Sequence, residues 1–468
     1  MGITVSEILK ATNGKLLRGR GDYLFDKIFY DVIKDSNIPS NSLYIPYINS
    51  YRNIDTTSNI AKMDQGRVSG LLIDKTLLDL DFSNFPNVIL VDNLEEGVLK
   101  IAGYLREREG YPIIAITGSS GKTTSKELIA SILETNGIPC KKTLRNINGY
   151  GGVSTTIFSL EKNQWGVMEV GVNGLKRLPL LAKTVSPDFL LVTNIYHTHF
   201  DKFPDLREVA KYKLSLANFM RGPKKKVLCG DNQYLREYID KSTITFGINK
   251  TNHYYLDTII SCDERGSNFT VKGKGKTYRI KTSLIGKHNI INVIGVLALT
   301  LELGLEEKGV IKGIENFSGI YDDYYSTISL KKVGNWTFLD DSQHFNLPAL
   351  KAGLETFKDI SKVGGVVILS YDYKFASLNF NIEELLGILL EYKDSIKGLI
   401  LMGEQWRKWE EFILKEICPL TVFLKTKEEV SLYIKDHVEK DTFIYMKGDF
   451  HHHLRGIINI LKENSSDA

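Results

Sequence analysis

Cysteine is scarce in this chain. The four among 468 residues (Cys140, Cys229, Cys262, Cys418) lie far apart with no C-x-x-C pair, which excludes a disulfide scaffold and a cysteine-built zinc knuckle. Long apolar runs are missing too: none approaches the ~18 residues needed to span a bilayer. The opening MGITVSEILKATNGKLL is amphipathic and too polar for a secretory signal. Gly2 and Ser6 fit the short myristoylation pattern, but no polybasic or second lipid signal accompanies them. A cytoplasmic protein without a membrane partner is therefore expected. Blocks of one charge sign are also absent. With 60 Lys+Arg against 56 Asp+Glu the net charge is +4, which leaves no electrostatic footprint for a nucleic acid.

What is present is a phosphate loop. Tyr111–Ile116 is a short apolar run suited to a strand covered on both faces, and Leu128, Ile129, Ile132 and Leu133 recur at helical spacing before Gly137, where a helix would stop. Between them lies TGSSGKTT, residues 117–124. Gly118 and Gly121 let the backbone curl so that the amides around Ser119 and Ser120 face one anion, and the helix N-terminus adds its positive dipole end. Lys122 would reach the outer phosphates, and Thr123 or Thr124 would offer a hydroxyl to Mg2+. The strict pattern places a glycine five residues before Gly121, where this chain has Ile116. The bland alternative is a Gly/Ser turn ahead of a lysine-bearing helix. The strand, turn and helix context favours nucleotide binding.

At 468 residues, with ~150 per domain, about three domains are expected. Residues 1–108 read as a small α/β unit with strands at Ser42–Ile45 and Val88–Val91 and a charged helix from Leu94 to Arg108. Residues 109–318 alternate strands (166–170, 189–193, 226–229) with helices, which predicts a doubly wound α/β sheet, interrupted at 252–282 by Thr- and Tyr-rich strands of an antiparallel insertion. The stretch 321–325 reads as a junction. Residues 319–468 return to alternation (336–339, 365–369, 399–402, 442–446) without a G-x-G-x-x-G, a third α/β domain of Rossmann-like type.

Ligands of open α/β sheets sit beyond the carboxyl ends of strands. Three such ends carry polar residues: Glu169, the segment Thr193–Asp201 with His197 and His199, and Asp340-Asp341-Ser342-Gln343-His344. A carboxylate and an imidazole beside a phosphate loop suit Mg2+ or Mn2+ bridging a nucleotide and its acceptor. Zinc on His197 and His199 lacks a nearby cysteine or further histidine. Each of these residues alone could equally be a satisfied polar strand end.

Several stretches in order resemble the Mur ligases: TGSSGKTT (117–124), RNINGYGGVSTTIFSL (145–160), MEVGVNG (168–174), TNIYHTHFDKF (193–203), GKHNIINVIGVLAL (286–299) and DDSQHFNLPAL (340–350). The N-terminal FYDVIKDSNIPSNSLYIPY is faintly similar to that family's UDP-binding segment. The resemblance implies an ATP-dependent ligase with three domains: one for a UDP-type acid, one for ATP, and a mobile Rossmann-like one. It joins a small-molecule carboxylate to an amine or dipeptide through an acyl phosphate, with ATP and Mg2+ as cofactors. It implies Lys122 on the outer phosphates; Thr123, Glu169 and His199 as metal ligands; Lys211 as a lysine carried as a carbamate, against the plainer reading of a solvated helix lysine; Asn289 at the adenine; and Asp340 and Asp341 opening a loop that closes on the nucleotide.

Three departures from the family pattern stand out. Gly319-Ile320-Tyr321 replaces a Gly-Arg pair, Gln343-His344 replaces Tyr-Asn, and Lys447-Gly448-Asp449-Phe450 replaces Lys-Gly-Ser-Arg. His451, His452 and His453 then read as a solvated turn rather than a metal site. The alternatives are a nucleotide-binding relative with impaired turnover, a ligase of a specialised natural-product route, and an unrelated phosphate-loop kinase or transport ATPase.

Overall fold

The computed structural model describes residues 2–32, 38–49, 54–62, 68–171, 178–196, 203, 205–222, 224–319, 327–342, 345–370, 382–448 and 454–463. The expectations at His197, His199, Ile320, Tyr321–Tyr325, Gln343, His344, Asp449, Phe450 and His451–His453 lie outside them.

Three sheets organise the chain. The first has five strands in the order Lys15–Arg18, Asn87–Val91, Val68–Asp74, Ser42–Ile45 and Lys27–Tyr30. Its inner strands are buried through most of their length, which is why they read as unbroken runs such as Leu71-Leu72-Ile73 rather than as alternation. The helix Leu94–Glu109 leads away from it. The Asn93 side chain caps its start, and Gly110, at φ +69°, ends it in a left-handed turn. Arg106 on this helix is 2 % exposed and pairs with Asp188 at 2.7 Å, while also donating to the carbonyls of Val185 and Ser186. The first two sheets share one continuous apolar core.

The second sheet has nine strands: Cys140–Lys142, Trp165–Glu169, Ile113–Thr117, Phe189–Val192, Lys225–Cys229, Thr243–Gly247, Tyr254–Asp263, Gly266–Gly273 and Lys276–Thr282. The first seven neighbours run parallel, and the last three strands form the expected antiparallel meander. The chain leaves Ile113–Thr117 toward one edge and later returns on its other side. The order therefore reverses there, and a doubly wound sheet opens its ligand crevice at that switch point.

The third sheet has six strands, ordered Ser329–Val333, Trp336–Asp341, Phe443–Lys447, Gly365–Ser370, Ile396–Met402 and Thr421–Leu424. All neighbours are parallel except the opening hairpin. Apolar clusters cover both of its faces. This sheet meets the second one at the start of the helix Lys287–Glu302. Ile285 belongs to the apolar cluster on one face of the third sheet, and Lys287 pairs with Glu355 at 3.3 Å and Asp359 at 3.0 Å. No helix among the described residues is long and apolar enough to cross a membrane.

Candidate active site

The phosphate loop lies at the switch point, between Ile113–Thr117 and the helix Lys122–Thr135. Two glycines are required by contact as well as by conformation. A Cβ on Gly118 (φ +144°) would stand 2.0 Å from Thr193 Oγ1, and one on Gly121 (φ +75°) 2.4 Å from Asn292 Oδ1. The neighbouring strand end holds the loop's shape: Ser119 N donates to the Asn194 carbonyl and Ser120 N to Asn194 Oδ1, both at 2.9 Å, while Thr193 Oγ1 donates to the Ser120 carbonyl at 2.6 Å. Gly121 caps the helix with no side-chain hydrogen bond, so the helix N-terminus keeps amides for an anion.

Three of the expected groups meet here. Glu169, 1 % exposed at its strand end, accepts from Thr123 Oγ1 at 2.5 Å on one oxygen and from Asn148 Nδ2 at 2.7 Å on the other. Its backbone N donates to Thr143 Oγ1 at 3.0 Å. Lys122 is half-buried with Nζ donating to the Ser119 carbonyl at 3.3 Å. Burial pushes its ammonium below the usual lysine range, and the Glu169 charge opposes that. Thr123 Oγ1 and Glu169 Oε2 are hard oxygens converging on one point. Among the described residues no group of three or more His, Cys, Asp or Glu gathers anywhere. Two protein oxygens beside a phosphate seat fit Mg2+, which keeps waters and phosphate oxygens in its shell, better than a metal that needs an all-protein cage.

The structure corrects the lysine expectation. Lys211 points outward, its side chain 69 % exposed and paired with Glu208 at 3.3 Å, so it is a solvated helix lysine. Lys213, two residues on, is 5 % exposed. Its ammonium is drawn down to about 7, first by burial, then by the nearby Lys122 charge, with Glu169 opposing. The reason is helical phase. In the helix Leu206–Leu214 the buried positions are Leu206, Val209, Ala210, Lys213 and Leu214, an i, i+3, i+4, i+7, i+8 stripe that includes 213 and omits 211. That signal is visible in the sequence and puts Lys213, not Lys211, on the buried face.

Asn289 is buried, with Nδ2 donating to the Ile285 carbonyl at 2.9 Å and Oδ1 accepting from Asn292 Nδ2 at 3.3 Å. Through Asn292, which lies against Gly121, it connects to the phosphate loop. Asp340 is not presented to that loop. Its carboxylate is 0 % exposed, paired with Lys331 at 2.7 Å and Arg455 at 3.0 Å, and it accepts from Ser342 Oγ at 2.5 Å. Asp341 accepts from Lys447 Nζ at 2.8 Å and Tyr445 Oη at 3.0 Å. Both acids are thus tied inside their own sheet. The sequence pattern gives Asn148 no role, because a turn asparagine carries no signal for the carboxylate it will meet.

Residues 116–300 match the Mur ligase middle domain. The UDP-N-acetylmuramoyl-tripeptide–D-alanyl-D-alanine ligase of Bacillus subtilis is 25% identical over 374 residues, covering 79% of this chain and 78% of its own. The ligase of the same name from Borreliella burgdorferi is 27% identical over 458 residues, 92% of each. In fold the chain is similar to MurF of Acinetobacter baumannii, with a TM-score of 0.84 at 19% identity over 99% of both chains. It is also similar to MurF ligase of Thermotoga maritima in complex with ADP, with a TM-score of 0.76 at 15% identity over 94% of this chain and 99% of that one.

Proposed function

We propose that this chain, a divergent Mur ligase, is an ATP-dependent amide-bond-forming ligase whose acid is a UDP-muramoyl peptide or a related carboxylate and whose amine is a dipeptide or amino acid. On this reading residues 1–108 hold the acid, 109–318 hold ATP, and 319–468 bring the amine, with the reaction in the cytoplasm. The observation that carries the reading is the meeting of Lys122, Thr123 and Glu169 at the switch point, beside a helix N-terminus that no side chain caps.

In this scheme the outer phosphates rest on residues 118–121 and the helix dipole, and Lys122 neutralises their charge. Thr123 and Glu169 would hold Mg2+, which when bound supplies further positive charge against the transferred phosphoryl group. Asn148 and Thr143 hold Glu169 in place, so its carboxylate need not reorganise during the reaction. A carboxylate oxygen of the acid attacks the terminal phosphorus. An O–P bond forms, the bond to the bridging oxygen breaks, and ADP departs. The amine nitrogen then attacks the activated carbonyl carbon, phosphate leaves with its electron pair, and the surplus amine proton passes to solvent. Oxide is a prohibitive leaving group and phosphate an easy one, which is why ATP is needed.

The carbamate expected at Lys211 belongs on this reading to Lys213. Its neutral amine adds to CO2 and releases a proton, which places an anion beside Lys122.

The test mixes purified protein with ATP, Mg2+, a UDP-N-acetylmuramoyl tripeptide and D-alanyl-D-alanine, the pair in the relatives' names. ADP and phosphate should appear in equal amounts, with an amide product by mass spectrometry, only when acid and amine are both present. Turnover with a different pair would redirect the substrate. ATP protection against heat without turnover, across broad panels of acids and amines, would overturn the ligase. It would favour the nucleotide-binding relative that Ile320, standing where the family pattern has an arginine, suggests.

A further inference from the structure

We infer that Tyr150 is a positioning residue that seats the N-terminal α/β unit, through the ribbon after its strand Ser42–Ile45, against the phosphate-transfer centre, so that an acid held by that unit meets the nucleotide in register. This rests on the ligase reading above.

Tyr150 opens the helix Tyr150–Ser159, and its hydroxyl donates to the Ile48 carbonyl at 3.1 Å. Its ring lies on Tyr47, with centroids 5.8 Å apart and planes at 41°. Tyr47 is itself fixed: buried, edge-on to Tyr30 at 5.4 Å, with its backbone N donating to Thr56 Oγ1 and its hydroxyl accepting from Asn49 Nδ2, both at 2.8 Å. Gly151 makes the approach possible, since a Cβ there would stand 2.9 Å from Tyr47 Cε2.

Two residues before Tyr150 the same segment holds Glu169 through Asn148. There is little slack between the two contacts. The Asn148 carbonyl accepts from Gly171 N at 2.8 Å. A Cβ on Gly171 would lie 2.1 Å from Asn148 Oδ1, and one on Gly152 1.7 Å from the Ile147 carbonyl. A shift of the two-stranded ribbon Ile48–Asn49/Ile54–Asp55, which follows the first sheet's strand Ser42–Ile45 through Tyr47, is therefore passed through Tyr150 to Asn148, and from there to the carboxylate of the candidate metal seat. The seat is a ring contact and neutral hydrogen bonds of the Tyr150 hydroxyl, to the Ile48 carbonyl and to the hydroxyls of Tyr47 and Tyr30, all short-ranged, so it transmits position rather than charge.

The experiment compares wild type with Tyr150→Phe, which keeps the ring and loses the hydroxyl, and with Gly151→Ala, which crowds Tyr47. With the substrates above, kcat/KM for the UDP-N-acetylmuramoyl tripeptide should fall at least about five-fold in Tyr150→Phe, the scale of one neutral hydrogen bond. Gly151→Ala should change it in the same direction. The affinity for a non-hydrolysable ATP analogue without Mg2+ should stay within about two-fold of wild type, a split that general loosening of the fold would not produce. Amide exchange by NMR provides a readout independent of turnover: Tyr150→Phe should speed exchange at both Tyr47 and Gly171. If wild type turns nothing over with any acid and amine pair of the panels, the ligase reading fails and the exchange data alone decide the coupling. Unchanged exchange at Gly171, or an equal loss of nucleotide and acid binding, overturns the inference.

Discussion

Replacing Lys213 by methionine should abolish carbamate formation, whereas Lys211→Met should leave it intact. The magnitude follows from where the helix puts each residue. An ammonium drawn down to about 7 is about three-quarters neutral at pH 7.5, against about one part in a thousand for an ordinary lysine near 10.4. The reactive free amine at 213 is thus several-hundredfold more abundant than on an ordinary exposed side chain. In 13C-bicarbonate, NMR should show one protein carbamate resonance that grows as pH rises through 7, persists in Lys211→Met and vanishes in Lys213→Met. A resonance lost in Lys211→Met and kept in Lys213→Met would refute the assignment.

The same lysine makes a stability prediction in bicarbonate-free, metal-free buffer. Its folded value, about 7, lies below the ordinary lysine value near 10.4. Between those values the unfolded chain binds more protons, so stability rises with pH across that window. Below about 7 both states are protonated and the contribution stops changing. From pH 7 to 9 the wild type should gain about 2 kcal/mol relative to Lys213→Met, read from urea unfolding at each pH. Parallel curves for the two proteins would show that the amine does not titrate there, and the physical case for the carbamate would fall with it.

Three other outcomes are expected. Glu169→Gln preserves shape but removes the charge facing Thr123 and Asn148; it should lower ADP release by about 10²–10³-fold while metal-free nucleotide binding, measured calorimetrically, changes little. His288 is drawn down to about 4, first by burial and then by the Lys447 charge, so its contribution is lost as pH falls from about 6.5 to 4; the wild type should lose about 3 kcal/mol more than His288→Gln over that interval in denaturant titrations. Arg106→Met strands the Asp188 carboxylate, which keeps the Ile113 amide as a donor; it should cost about 3 kcal/mol in urea unfolding, and adding Asp188→Asn should restore part of the loss.

Much of the fold was legible because each parallel strand is covered on both faces and appears as an apolar run. The strands at 113–117, 189–192 and 365–370 are of this kind. Glycine punctuation worked where it reflects backbone sign. The helix from Lys122 ends at Thr135, and Gly137, at φ +71°, begins the exit. The local spelling Ala-Lys points to Lys211, whereas the helical phase buries Lys213. Asn148 was hidden for another reason: its partner lies 21 residues away across a strand, and local pattern holds no information about such a contact.

The strand-end carboxylates show where the sequence reading stops and what decides beyond it. Glu169 and Asp340 look alike in sequence, each an acid closing an apolar run, and both are almost fully buried. Their partners differ. Asp340 stands opposite Ser329 in the antiparallel register, which makes Lys331 its diagonal neighbour, and Arg455 completes a buried ion pair with two cations. A metal or nucleotide arriving there would have to displace charges that already compensate the acid. The partners that hydrogen-bond Glu169 are neutral, a hydroxyl and an amide, and the nearby Lys122 and Lys213 act on it through space without a hydrogen bond, so its oxygens stay open to a metal. A buried carboxylate held by neutral donors keeps its demand for a cation, and one held by arginine and lysine has met it. Exchanging the two situations tests this. Placing a cation beside Glu169 with Asn148→Lys should suppress Mg2+-dependent nucleotide binding at least about ten-fold while leaving the fold intact, by the scale of a single well-placed charge. If Mg2+ dependence survives that substitution, the neutrality of the partners is not what makes Glu169 a metal seat.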